Sequence, residues 1–152
     1  MTREDERRPA QILVVEDDPG ELRLLLEALR SGPATKNISV AKDGEEALAF
    51  LRQEGRHAGS PRPDLVIMPM SMPRGDGRQV IAAIKSDPRL RRIPIVVLTS
   101  SQSEQDVDQA YELHANCYVV KPVEMDRFFS VVRAIEDFWL CVSVPPPDES
   151  TV

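Results

Sequence analysis

Five polar positions stand where short apolar runs stop. Glu16 and Asp17 follow Ile12-Leu13-Val14-Val15, and Ser71 comes just after Leu65-Val66-Ile67-Met68. Thr99 ends Ile95-Val96-Val97-Leu98, and Lys121 follows Cys117-Tyr118-Val119-Val120. Two carboxylates suit a hard divalent cation, which prefers oxygen ligands. A hydroxyl and an ammonium suit the oxygens of a phosphoryl group. The five positions meet only if the runs are neighbouring parallel strands, because ligands of open α/β sheets bind outside the carboxyl ends of the strands. The sequence has no P-loop, and no GxGxxG follows the first run, which weakens nucleotide readings.

The intervening segments are those that such a sheet requires. Asp18-Pro19-Gly20-Glu21 reads as an N-cap, a first-turn proline and a reciprocal cap. Leu22, Leu25, Leu26 and Leu29 then recur at helical spacing until Gly32-Pro33. Ile38 to Val40 is a brief strand. Asp43-Gly44-Glu45-Glu46 caps a second helix carrying Ala47, Leu48, Phe50 and Leu51. Glu54 to Pro63 is a polar loop, and Pro73 to Gly77 another. A third helix carries Val80, Ile81 and Ile84 and stops at Asp87-Pro88. A fourth spans about Ser103 to Leu113, and a fifth about Glu124 to Leu140. The strands are apolar without clean alternation, as expected when helices cover both faces. The alternation implies a doubly wound parallel α/β sheet with right-handed crossovers.

The chain has 152 residues, with 19 Lys+Arg against 25 Asp+Glu and a net charge of −6. That length suits one domain: a charged extension at 1–10, the α/β unit at 11–141 and a Pro-rich tail at 142–152, extended or disordered. The acidic balance argues against non-specific nucleic-acid binding. No apolar run approaches a membrane span, and the charged start does not read as a secretory signal. Cys117 and Cys141 form no disulfide framework, so a reducing cytoplasm is expected. His57 and His114 read as surface or structural residues, and Met68, Met70 and Met72 as packing.

Taken together, Val15-Glu16-Asp17-Asp18-Pro19, Val40 to Ala47, Pro63-Asp64-Leu65, Val97-Leu98-Thr99-Ser100 and Tyr118-Val119-Val120-Lys121-Pro122 resemble the receiver domain of two-component response regulators. The resemblance runs from Gln11 to Leu140. His114 to Tyr118 and Ile135 to Leu140 look like the stand-alone regulators that partner phytochrome-type histidine kinases. The resemblance implies a five-stranded flavodoxin-like sheet in the order 2-1-3-4-5 and phosphoryl transfer from a kinase histidine to an aspartate after strand three. It assigns Glu16 and Asp17 to Mg²⁺, with a backbone carbonyl from Ser71. It makes Thr99 the switch hydroxyl, Tyr118 the switch aromatic and Lys121 the phosphoryl lysine, and it implies a cis Lys121-Pro122 bond.

One position departs from the family pattern. Where that pattern has the acceptor aspartate, Ile67-Met68-Pro69-Met70-Ser71-Met72-Pro73 places Pro69. Proline carries neither a nucleophile nor a ligand oxygen. Glu16, Asp17 and Ser71 then read as a vestigial Mg²⁺ site, no cofactor is required, and no catalytic residue is assigned. Lys121 is either a surface lysine before a turn or pairs with Glu16 or Asp17.

Three functions compete. The first is a degenerate, non-enzymatic regulator acting by protein contact. The second is a receiver phosphorylated with Mg²⁺ at a substitute such as Asp64, Asp76 or Ser71. The third is a flavodoxin-like cofactor binder, which 5% aromatic content and the missing phosphate loop disfavour.

The last helix is apolar over more than one face. Phe128, Val131, Val132, Ile135 and Trp139 line one side, with Phe129, Phe138 and Leu140 outside it. That excess is covered by neighbouring loops and the tail, or it forms a homodimer surface on the face shared by helix four, strand five and helix five.

Overall fold

A computed structural model describes residues 9–72 and 76–144. Five parallel strands form one sheet: β1 (Ala10–Val15), β2 (Lys36–Ala41), β3 (Leu65–Met68), β4 (Ile95–Thr99) and β5 (Cys117–Val120). Their order is β2-β1-β3-β4-β5, as expected. The connecting helices are α1 (Pro19–Arg30), α2 (Gly44–Arg52), α3 (Gly77–Ser86), α4 (Glu104–Glu112) and α5 (Met125–Glu136).

The strands are apolar throughout because both faces of the sheet are covered. Leu13, Val15, Val66, Met68, Ile95 and Val97 point to one side, where Phe50 and Leu51 of α2, Val80, Ile81 and Ile84 of α3 and Ala110 of α4 meet them. Ile12, Val14, Leu65, Ile67, Val96 and Leu98 point to the other, against Leu25 and Leu29 of α1 and Phe128, Val132 and Ile135 of α5. Successive strand residues thus alternate between two cores. Each fully buried branched side chain contributes about 1.5–3 kcal/mol.

Several boundaries differ from the sequence reading. Strand β2 is longer than Ile38–Val40, because its ladder with β1 runs from Ala10–Lys36 to Val15–Ala41. Gly77 belongs to α3 and not to the loop before it. The polar loop after α2 contains a 3₁₀ turn at Gly55–His57. The last helix changes winding: after Glu136 it continues as a π-helical segment, Asp137–Val142, closed by Ser143 N donating to Phe138 O at 2.7 Å. The residues beyond Glu136 therefore do not keep the α-helical spacing that the sequence extends to Leu140. The charged extension up to Arg8, Pro73 to Gly75 of the loop before α3, and the tail from Pro145 lie outside the described residues.

One tie between distant elements has no sequence signature. The Lys36 ammonium lies 2.8 Å from the Glu136 carboxylate, and both side chains are buried. The same carboxylate oxygen accepts from Ala34 N at 2.9 Å, and Lys36 also donates to Leu29 O. The end of α5 is thereby fixed to the α1–β2 connection.

Candidate functional site

The local sequence explains each position at the sheet edge. Val15 ends β1, so Glu16 is the first residue beyond the ladder, and its N–H still donates to Ala41 O at 3.0 Å. Asp18 caps α1 by accepting from Gly20 N at 2.8 Å and Glu21 N at 3.0 Å. The last ladder pair of β3 with β4 is Met68–Val97. Pro69 therefore follows the final paired residue, where its missing N–H interrupts no ladder bond. Thr99 is the buried last residue of β4, and its carbonyl accepts from Lys121 N at 2.7 Å.

Lys121 closes the edge. Its ammonium lies 3.2 Å from Glu16 Oε1 and 3.1 Å from Glu21 Oε2. Because β3 and β4 lie between β1 and β5, this side chain crosses the carboxyl ends of the two central strands. Glu21 is not the reciprocal helix cap that its spacing suggests; its carboxylate turns to Lys121. Of the two expected partners of Lys121, the structure supplies Glu16. Asp17 is exposed. Ser71 is also exposed, two residues beyond Pro69. The Lys121–Pro122 bond is trans, not cis as the resemblance implies.

This donor set does not fit a tightly held divalent cation. Glu16 Oε1 faces Lys121, and Oε2 accepts from Asp18 N at 3.2 Å, so both oxygens are engaged. Pro69 offers no side-chain oxygen. Among the described residues, no group of three or more His, Cys, Asp or Glu side chains could hold a metal ion. Mg²⁺ takes six oxygens in a near-octahedral shell, and Glu16, with both oxygens in hydrogen bonds, together with the exposed Asp17 falls short of that.

Of the substitute acceptors, Asp64 is remote from this edge, whereas Asp76 adjoins Gly77, which packs on Pro69 O and Met70 O. Asp64 stands before β3, at the opposite sheet edge, and its carboxylate accepts from Gln11 N at 2.8 Å. Asp76 caps α3 and pairs with Arg78 at 3.1 Å.

Residues 12–133 match the model of the response regulator receiver domain. The chain belongs to the response regulator receiver family. This receiver is 44% identical over 137 residues to response regulator Rcp1 of Synechocystis sp., an alignment covering 90% of this chain and 93% of that one. The crystal structure of the phosphorylated cyanobacterial phytochrome response regulator RcpA matches it with a TM-score of 0.88 at 43% identity, over 92% of this chain and 100% of that one. The Mn²⁺-bound form of Rcp1 matches with a TM-score of 0.87 at 43% identity, over 91% and 100%. No helix among the receiver's described residues is long and apolar enough to cross a membrane.

Tyr118 is half-buried, and its hydroxyl donates to Ser101 O at 3.0 Å. On the last helix, Phe129 and Leu140 are half-buried against the second core, while Phe138 is 51% exposed. Cys117 is half-buried, which pushes its thiol pKa up; it and the exposed Cys141 are both free thiols. Sequence reasoning missed Glu21 as a site residue because its spacing already had an explanation as a cap. It also missed Arg78, which pairs with Asp76 beside it and reaches Asp106 and Gln109 on α4.

Proposed function

We propose that this receiver signals by protein contact, without aspartyl phosphorylation at the usual position, and that it is not an enzyme. The observation that carries this reading is Pro69, directly after β3 and flanked in the sheet by the strands that present Glu16 and Thr99. By the family pattern this is the acceptor position, and a saturated ring there offers no oxygen for attack on phosphorus. The surrounding charges support the reading. A phosphorylated receiver places a lysine on the phosphoryl oxygens, whereas here Glu16 and Glu21 neutralise Lys121. Divalent metal binding is then weak, with Glu16 and Asp17 as vestiges.

The partner is a sensor histidine kinase of the phytochrome type, a reading supported by the likeness to RcpA and Rcp1. A homodimer through α4, β5 and α5 is part of the same proposal. Tyr111, Val120 and Met125 expose apolar surface on those elements. Phe138 is exposed beyond the end of α5, while Phe129 and Leu140 are half-buried against the second core. In this reading the receiver's state is set by which partner is bound.

The test is the affinity for the dimerisation domain of a phytochrome-type kinase, measured by calorimetry with and without acetyl phosphate and Mg²⁺. Equal affinities are expected. An affinity that changes tenfold or more on adding the phosphodonor overturns the reading.

A further inference from the structure

A hydrogen-bonded chain runs from the end of β3 to the exposed side of β5 without passing through Thr99, a metal or a phosphoryl group. It starts at Gly77. A Cβ on Gly77 would stand 2.6 Å from both Pro69 O and Met70 O, and Gly77 N donates to Met70 O at 3.0 Å. The first turn of α3 therefore lies directly on the β3–α3 connection. The next residue, Arg78, reaches across to α4. Its Nε donates to Gln109 Oε1, one terminal nitrogen pairs with Asp106 Oδ1, and the other lies 3.1 Å from Asp76 Oδ1. The second oxygen of Asp106 accepts from the Ser101 hydroxyl at 2.6 Å. Ser101 O in turn accepts from the Tyr118 hydroxyl, and Tyr118 N donates to the Tyr111 hydroxyl at 3.1 Å. Tyr111 is 48% exposed on α4.

We infer that Arg78 is a positioning residue that couples the β3–α3 connection to Tyr118. An isolated surface ion pair would not hold such a link, since exposed pairs contribute little. Arg78 differs in two ways. Its side chain is about two-thirds covered, at 32% exposure, and its planar fork engages two carboxylates and an amide together. Guanidinium forks of this kind fix geometry as well as charge, which a lysine cannot reproduce. Displacing the first turn of α3 draws on Asp106. Asp106 then releases or tightens Ser101, whose carbonyl holds the Tyr118 ring. The inference deepens the proposed reading by giving a partner at the strand-three edge a route to the α4–β5 surface.

The chain has two tyrosines, Tyr111 and Tyr118, so 3-fluorotyrosine labelling of the full chain gives two ¹⁹F resonances; Tyr111→Phe assigns them. In Arg78→Met the Tyr118 resonance is expected to move by more than its linewidth, although Arg78 has no hydrogen bond to that ring. Ser101→Ala, which keeps the carbonyl but removes the link to Asp106, is expected to move it in the same direction. Arg78→Lys is expected to give an intermediate shift. Arg89→Met, which removes an ion pair with Asp87 in the α3–β4 connection, is the control and leaves the resonance in place. If Arg78→Met does not fold, Arg78→Lys and Ser101→Ala decide. An unmoved Tyr118 resonance in the folded variants overturns the inference, as does an equal shift in Arg89→Met. Such a failure leaves the kinase-affinity experiment unaffected.

Discussion

Lys121 Nζ stands 3.2 Å from Glu16 Oε1, although β3 and β4 separate the strands these residues follow. The ammonium crosses the strand ends beside which Pro69 lies. With Glu21 at 3.1 Å, a lysine that would contact a phosphoryl group is held in a carboxylate–ammonium–carboxylate set. Lys121 and Glu16 are largely buried here, so their attraction is screened less than that of a surface pair.

Restoring the acceptor tests whether this edge keeps its older chemistry. In Pro69→Asp, a carboxylate joins Glu16 and Asp17, and Thr99 and Lys121 are already in place. The variant is expected to take label from acetyl phosphate in a Mg²⁺-dependent manner and to bind Mn²⁺ at least about tenfold more tightly than the parent chain, roughly 1.4 kcal/mol. Radiolabel retention and Mn²⁺ titration measure this. No gain in either would show that the Lys121 pairing, and not Pro69 alone, closes the site.

The Lys36–Glu136 pair gives a prediction about stability. Glu136 is fully buried and Lys36 nearly so, and removing one partner strands a charge. Glu136→Leu alone is expected to lower the unfolding free energy by about 3–5 kcal/mol, whereas Lys36→Met/Glu136→Leu together cost less than the sum of the Lys36→Met and Glu136→Leu singles. Urea unfolding of the four proteins provides the cycle. Additive losses would mean that the two side chains act independently.

A pH dependence follows from Lys85. Burial lowers its pKa from 10.5 to about 8, and its ammonium donates to Arg91 O at 3.0 Å and Ile93 O at 2.9 Å. The folded value lies below the unfolded one, so between these two pKa values the unfolded chain holds more protons. Stability contributed by this group therefore rises as pH climbs from about 8 towards 10.5, and is flat below 8. The difference in unfolding free energy between the parent chain and Lys85→Met is expected to grow across that window. A difference that shrinks with rising pH would show that the two carbonyl bonds outweigh burial.

Much of the fold was legible because strand and helix signals agreed. The runs at Val14, Ile67 and Val97 are apolar throughout since each faces helices on both sides, and Asp18 and Asp43 cap the helices their spacing marks. The strand ends then placed Glu16, Thr99 and Lys121 on one edge. The π-helical winding after Glu136 was not legible, because a periodicity argument assumes constant pitch. Neither were the contacts of Glu21 and Arg78. The spacing of Glu21 suggests a local role as a cap that its carboxylate does not take, and the partners of Arg78 appear only once α4 is placed beside it. Long-range pairs such as Lys36–Glu136 have no local pattern to carry them.

Whether Pro69 silences the acceptor position is read by incubating the full chain with radiolabelled acetyl phosphate and Mg²⁺, then treating it with hydroxylamine, which cleaves acyl phosphates but not seryl esters. The expected result is no incorporated label before treatment, under conditions where Pro69→Asp becomes labelled. Stable label on the unmodified chain would contradict the account, and its response to hydroxylamine would show whether a carboxylate or a hydroxyl such as Ser71 had received it.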